Sequence, residues 1–208
     1  MQKKIIRKYG FGFCALVLAA ALAVLPFAQY ISACGQVRNN VIRLHVLAAS
    51  DSETDQAIKL KVRDRILANA AALFGNEADM NAAENTIRSH LDMLTEQADA
   101  VLEAEGVSYR ASAALTEEYF ETRAYGDLTL PAGRYTALKI RLGSGCGHNW
   151  WCVVFPPLCL PAAEGETAAA TFGEKDMTVL VPAEGYQVRF KLAELAAQLA
   201  EKWKNRKK

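Results

Sequence analysis

The chain has 208 residues, 51% of them apolar, with 24 Lys and Arg set against 23 Asp and Glu for a net charge of +1. Such a balance gives no global electrostatic case for nucleic acid. The length left after an apolar N-terminal segment suits one domain with a real core and falls short of two comfortable ones. No internal repeat is present.

Lys3, Lys4, Arg7 and Lys8 precede an unbroken apolar run from Phe11 to Leu25, interrupted by Pro26 and trailing on to Ile31. A basic flank before an apolar core of this length reads as a signal peptide, and the whole stretch is just long enough to span a bilayer as a helix. Either way the flank stays cytoplasmic and the remainder is delivered across the membrane. The segment 1–33 is therefore expected to be a signal peptide or transmembrane anchor, and 40–208 the exported domain. A small residue before Cys34 also resembles a lipobox, so cleavage near Ala33, a retained anchor and a lipid on Cys34 all stay open.

Gly35 to Asn40 reads as a polar hinge. Residues 41–47 alternate as a strand, with Ile42, Leu44 and Val46 on one face. Ser52, followed three residues later by Asp55, approximates a capping box, and Ile58, Val62, Ile66, Ala70 and Leu73 fall on one helical stripe ending at Gly75-Asn76. A second helix is predicted from Asp79 or Asn81 to Glu105, so that the two form a hairpin covering one sheet face. Strands follow over 107–116 and around Leu138 to Leu142, with a turn at Pro131-Ala132-Gly133.

The densest apolar run outside the N-terminus is Asn149-Trp150-Trp151-Cys152-Val153-Val154-Phe155, stopped by Pro156-Pro157. It reads as a buried strand. The glycine-rich loop before it makes it a natural hairpin partner of the strand at 138–142. Residues 161–175 read as a loop, and 188–203 as a closing helix with Leu192, Leu195, Leu199 and Trp203 on its apolar face. The tail Lys202, Lys204, Arg206, Lys207 and Lys208 reads as solvated charge offsetting the helix dipole, in preference to a membrane or nucleic-acid contact. The fold class is α+β: a single domain with a mostly antiparallel sheet covered by a helical hairpin and a C-terminal helix.

The candidate chemistry is sparse. Cys146, His148, Cys152 and Cys159 match no usual zinc spacing, so no metal or other cofactor is called for. Extended chain would put the Cα atoms of Cys152 and Cys159 roughly 23 Å apart, against about 5 to 6 Å in a bridge. A disulfide therefore needs the chain to reverse at Pro156-Pro157, the alternative being two separate buried thiols. Cys152 with His148 as nucleophile and base lacks an orienting partner, and Ser50 and Asp51 near His45 already serve as turn and cap residues. The loop Gly143, Gly145, Gly147 leads into a strand and not a helix, unlike a phosphate cradle. Trp150 or Trp151 is a candidate contact for a partner, because neighbours in a strand face opposite ways; Tyr119, Phe120, Arg123 and Tyr125 form a second candidate patch of interface type.

The stretch Ile42 to Asp51, continuing through Asp55-Gln56 to Lys61-Val62-Arg63-Asp64, resembles the opening of the stage II sporulation protein R family. The likeness resumes at Tyr119-Phe120, Thr122-Arg123, Tyr125-Gly126 and Leu130 to Gly133. It is most specific at Asn149 to Cys159 and ends at Phe190-Lys191 with Glu194; Glu121 and Cys146 depart from the pattern. The resemblance implies a non-enzymatic signalling protein of sporulation, exported into the space between forespore and mother-cell membranes. There it would activate a membrane-embedded aspartic protease of the mother cell, which processes the precursor of sigma factor E, with no small-molecule substrate. Two other classes, an exported cysteine- or metal-dependent hydrolase and an envelope-binding structural module, are the alternatives.

Overall fold

The computed structural model describes residues 27–74, 79–125 and 128–156, together with 25, 77 and helical or turn positions between 191 and 206. The basic flank and most of the apolar segment Phe11 to Leu25 lie outside the described residues, as do the expected helix stop at 75–76 and the loop 161–175. Among the described residues no helix is long and apolar enough to cross a membrane.

The chain enters through helix α1 (27–39) and continues into β1 (Ile42–Leu47), α2 (Glu53–Phe74), α3 (Met80–Ser89), α4 (Leu91–Ala104) and β2 (Ala111–Phe120). A short hairpin, β3 (Arg123–Tyr125) and β4 (Leu128–Leu130), precedes β5 (Gly133–Leu142) and β6 (Asn149–Phe155). The architecture is α+β, with a four-stranded sheet in the order β2-β5-β1-β6. β1 runs parallel to β5 and antiparallel to β6, and β2 runs antiparallel to β5, so the sheet is mixed.

That order overturns the expected hairpin of β5 and β6. β1 lies between them, and the connecting loop crosses its end, where Gly147 N–H donates to Ala48 O at 3.0 Å and Ser144 Oγ to Ala49 O at 2.7 Å. The central position suits β1, whose first five residues are all buried, because a central strand is covered on both faces.

One sheet face meets α2, α3 and α4 around Ile42, Leu44, Val46, Leu138, Ile140, Cys152 and Val154, with Ile58, Val62, Ile66, Ile87, Leu94 and Ala98 from the helices. The helical stripe anticipated in α2 is this core. Each fully buried aliphatic side chain here stabilises by roughly 1.5 to 3 kcal/mol. Lys59, next to this stripe, is also buried, and its Nζ donates to His148 O at 3.0 Å and Gln56 Oε1 at 2.5 Å. At the helix start Ser52 Oγ accepts from Asp55 N–H at 3.1 Å, the capping contact foreseen there.

Three other expectations are corrected. The long second helix is two helices, because at His90 the backbone leaves helical geometry (φ −114°, ψ 13°) and the His90 ring and Ser89 Oγ both turn back on Thr86 O. The strand expected at 107–116 is shifted to Ala111–Phe120, and Val107 is drawn into the helix-side core. Gly35 to Arg38 is helical and not a hinge: Tyr30, Cys34 and Val37 of α1 are buried, and Arg38 Nη1 donates to Ala132 O at 3.3 Å. Gly133, in a left-handed conformation (φ 149°), leaves the room that the Arg38 side chain fills.

Candidate functional site

Beneath α1 lies the second face of the sheet, built from the side chains that alternate away from the helical core: Arg43, His45, Glu118, Phe120, Tyr135, Ala137, Lys139, Trp151 and Val153. Its centre is a charge that the strand pattern alone does not announce. Arg43 is fully buried, with its guanidinium over the rings of Phe120 (4.2 Å), Tyr135 (5.1 Å) and Tyr125 (5.5 Å), and Nη2 donates to the Tyr125 hydroxyl. Nε and Nη1 have no hydrogen-bond partner, so the aromatic faces offset the lost hydration, and burial pulls the Arg43 pKa below its ordinary value. Burial likewise pushes the Tyr125 hydroxyl upward, against the pull of Arg43.

Beside Arg43 stands a chain of three ionisable groups. Glu118 accepts from His45 Nδ1–H at 2.5 Å and from Lys139 Nζ at 2.6 Å. Burial pushes the His45 imidazole below the usual histidine value in spite of Glu118. Burial also opposes the charge of Glu118, but the hydrogen bonds from Lys139 and His45 outweigh it and hold the carboxyl below its ordinary range. The consistent state near neutrality is a neutral imidazole donating through Nδ1 to a carboxylate that Lys139 neutralises. His45 Nε2 is buried without a hydrogen-bond partner.

Trp151 covers this chain. Its ring stacks on His45 with centroids 4.0 Å apart, and it meets Phe120 edge-on at 4.8 Å. Trp151 also lines an open, polar cleft of about 450 Å³, together with Asp51, Arg123, Cys146, Gly147, His148 and Asn149. The cleft is pinned by Asp51 Oδ1, which accepts from His148 N–H at 2.6 Å and pairs with His148 Nδ1 at 2.5 Å. The His148 backbone donor above all holds the Asp51 carboxyl below its usual range.

The structure separates the two tryptophans as strand alternation requires. Trp150 packs toward the helix-side core with Arg63 over its ring at 4.2 Å, whereas Trp151 faces Arg43 and His45. The second patch is dispersed: Phe120 is core, Tyr125 is tied to Arg43, Tyr119 is half-buried, and Arg123 is exposed at the cleft. His45, weighed with Ser50 and Asp51, instead takes Glu118, while Ser50 bonds Asp55 and Asp51 bonds His148. Glu118, Lys139 and Arg43 were missed; the one signal that pointed to them was a charged residue repeating on strands otherwise read as half-buried.

Cys152 is sealed in the helix-side core while His148 lies exposed on Asp51, so they do not form a nucleophile and base. No group of three His, Cys, Asp or Glu among the described residues could hold a metal ion. Among the described residues Cys34 (buried) and Cys146 (exposed) are free thiols; Cys152 is buried, and its expected partner Cys159 lies outside the described residues.

No solved structure matches this chain. A curated relative, stage II sporulation protein R of Bacillus subtilis (strain 168), is 38% identical over 131 residues, covering 62% of this chain and 58% of the relative. The chain thus aligns with somewhat over half of that relative's length. The family pattern of stage II sporulation protein R matches residues 38–164, which take in β1 to β6, the buried Arg43 and the whole cleft. On these grounds the chain belongs to the stage II sporulation protein R family.

Proposed function

We propose that the chain is an exported signal of sporulation. It acts in the space between forespore and mother-cell membranes, where it activates a membrane-embedded aspartic protease of the mother cell that processes the precursor of sigma factor E. The observation that carries this reading is the family match over residues 38–164, the span that builds the sheet and the cleft. The apolar run Phe11 to Leu25 behind a basic flank supports export, with 1–33 as signal peptide or anchor and 40–208 as the delivered part.

A partner shifts a membrane receptor only through differential affinity for its active state. Trp151 and Arg123 at the cleft rim supply the aromatic and guanidinium chemistry common at interface centres. Trp150, Tyr119, Phe120 and Tyr125 support the fold behind that rim. A Cys152–Cys159 disulfide beyond Phe155 would fix the exit of β6; two freely reacting thiols at these positions in the denatured, unreduced chain would end that idea.

The test is processing of the sigma factor E precursor in sporulating cells lacking this chain. The full chain is expected to restore processing, and Trp151→Ala or Arg123→Glu, secreted and folded, to lower it by tenfold or more, taken as on the order of one good interface contact. Normal processing without the chain would overturn the proposal.

A further inference from the structure

The C-terminal helical segment docks through its acidic side. Arg134 Nη1 holds Glu201 at 2.8 Å, and Glu194 and Glu201 both lie near Tyr119, whose hydroxyl is pushed up first by burial and then by these carboxylates. Glu194, Ala197 and Glu201 are half-buried, three positions that share one side of a helix. The opposite side is exposed and carries Leu195, Leu199 and Trp203, spaced by four, with exposures of 54%, 62% and 68%. Lys191, Lys202 and Arg206 share that exposed side, and every acidic residue described in the segment is turned inward. Of the apolar stripe anticipated from sequence, Leu195, Leu199 and Trp203 face away from the domain, and Leu192 lies outside the described residues.

We infer that this outward face lies on an anionic lipid bilayer, with Leu195, Leu199 and Trp203 in the headgroup boundary and Lys191, Lys202 and Arg206 against lipid phosphates. An apolar stripe interleaved with cations and free of exposed carboxylates has the charge of an interfacial helix. Its position agrees. Arg38 of α1 is bonded to Ala132 and Arg134 holds Glu201, so both helices are tied to the start of β5. α1 continues from the apolar run Phe11 to Leu25, and Leu25 itself is 59% exposed. Both helices thus share one anchor at the start of β5, and α1 tethers that anchor to the apolar run. The inference goes beyond the proposed signalling role and depends on it only for which membrane is involved.

The test uses the full chain reconstituted into vesicles of phosphatidylcholine alone, or of phosphatidylcholine and phosphatidylglycerol in equal parts, each with brominated acyl chains that quench nearby tryptophans. The difference between the native chain and Trp203→Phe isolates Trp203 from Trp150 and Trp151 in the sheet. The expected result is strong quenching of Trp203 in the anionic vesicles, severalfold weaker in neutral vesicles and after Lys202→Glu with Arg206→Glu. No quenching, or equal quenching in both vesicle types, overturns the inference. Burial of Trp203 by concentration-dependent self-association, or by a soluble acidic protein without lipid, overturns it too. Lipid contact as expected, combined with normal sigma processing in cells lacking the chain, would sink the signalling reading alone.

Discussion

Trp151 stacks on His45 across the β1–β6 ladder, where the two residues are direct cross-strand partners. The stack closes one side of the Glu118–Lys139 pair and forms the wall shared by the second core and the cleft. Trp151→Ala is expected to cost about 3 kcal/mol, through lost contact with both His45 and Phe120 and the cavity left behind. Urea denaturation checks this; a loss under about 0.5 kcal/mol would mark the ring as a surface contact only.

Stability should fall as the solution is acidified through the ordinary histidine range. The folded His45 pKa is depressed, so the unfolded chain binds the proton first. The neutral ring's contribution is complete above about pH 6.5 and is lost as pH drops below it. The Glu118 carboxyl, also depressed, extends the loss into the carboxylate range. His45→Asn, which keeps a donor toward Glu118, is expected to flatten the slope between neutrality and mild acid, as read by thermal melts across pH.

Arg43 and its hydrogen-bond partner Tyr125 carry different expectations. Tyr125→Phe removes the one hydrogen bond of a buried cation and should cost about 2 kcal/mol. Arg43→Met removes the charge together with its need for hydration and should be close to neutral in stability. Paired unfolding curves decide; a loss from Arg43→Met larger than that from Tyr125→Phe would mean that the cation–aromatic contacts outweigh the desolvation.

Much of the helical side was legible in the sequence, because the stripe through Ile58, Val62 and Ile66 repeats at the helical period. The strand of Trp150 and Trp151 was equally clear, since no other run joins aromatic to β-branched residues so densely. Pairing order was not legible. β1 and β5 are far apart in sequence, and nothing local in Gly143 to His148 records that a third strand lies between the two it joins. The Glu118–His45–Lys139 chain was hidden for the same reason, being assembled from three strands by register alone. In α1 the polar residues Gln36, Arg38 and Asn39 masked the buried Val37 beside them.

Gly147 lines the cleft against the backbone of Ser50. A Cβ there would come 2.2 Å from the backbone oxygen of Ser50, which cannot swing aside as a side chain would. Gly147→Ala is expected to cost about 2 kcal/mol and to loosen the Asp51–His148 pair. Faster amide exchange at Gly147 and His148 would report the loosening.

Removing α1 should weaken the domain. A chain starting at residue 40 loses the buried Tyr30, Cys34 and Val37, whereas one starting at 27 keeps them. The shorter chain is expected to be less stable by at least about 3 kcal/mol, with a lower melting temperature. Equal melting temperatures would show α1 to be dispensable.

The placement of β1 also sets the order of assembly. For a polypeptide that emerges in chain order, from a ribosome or a channel, the middle strand β1 appears early and both its neighbours, β5 and β6, appear late. Its unsatisfied ladder groups must wait on contacts of long sequence separation, which close slowly. The compact state is thereby deferred until β5 and β6 have both followed, so the topology itself keeps an emerging chain loose until its last strand is present.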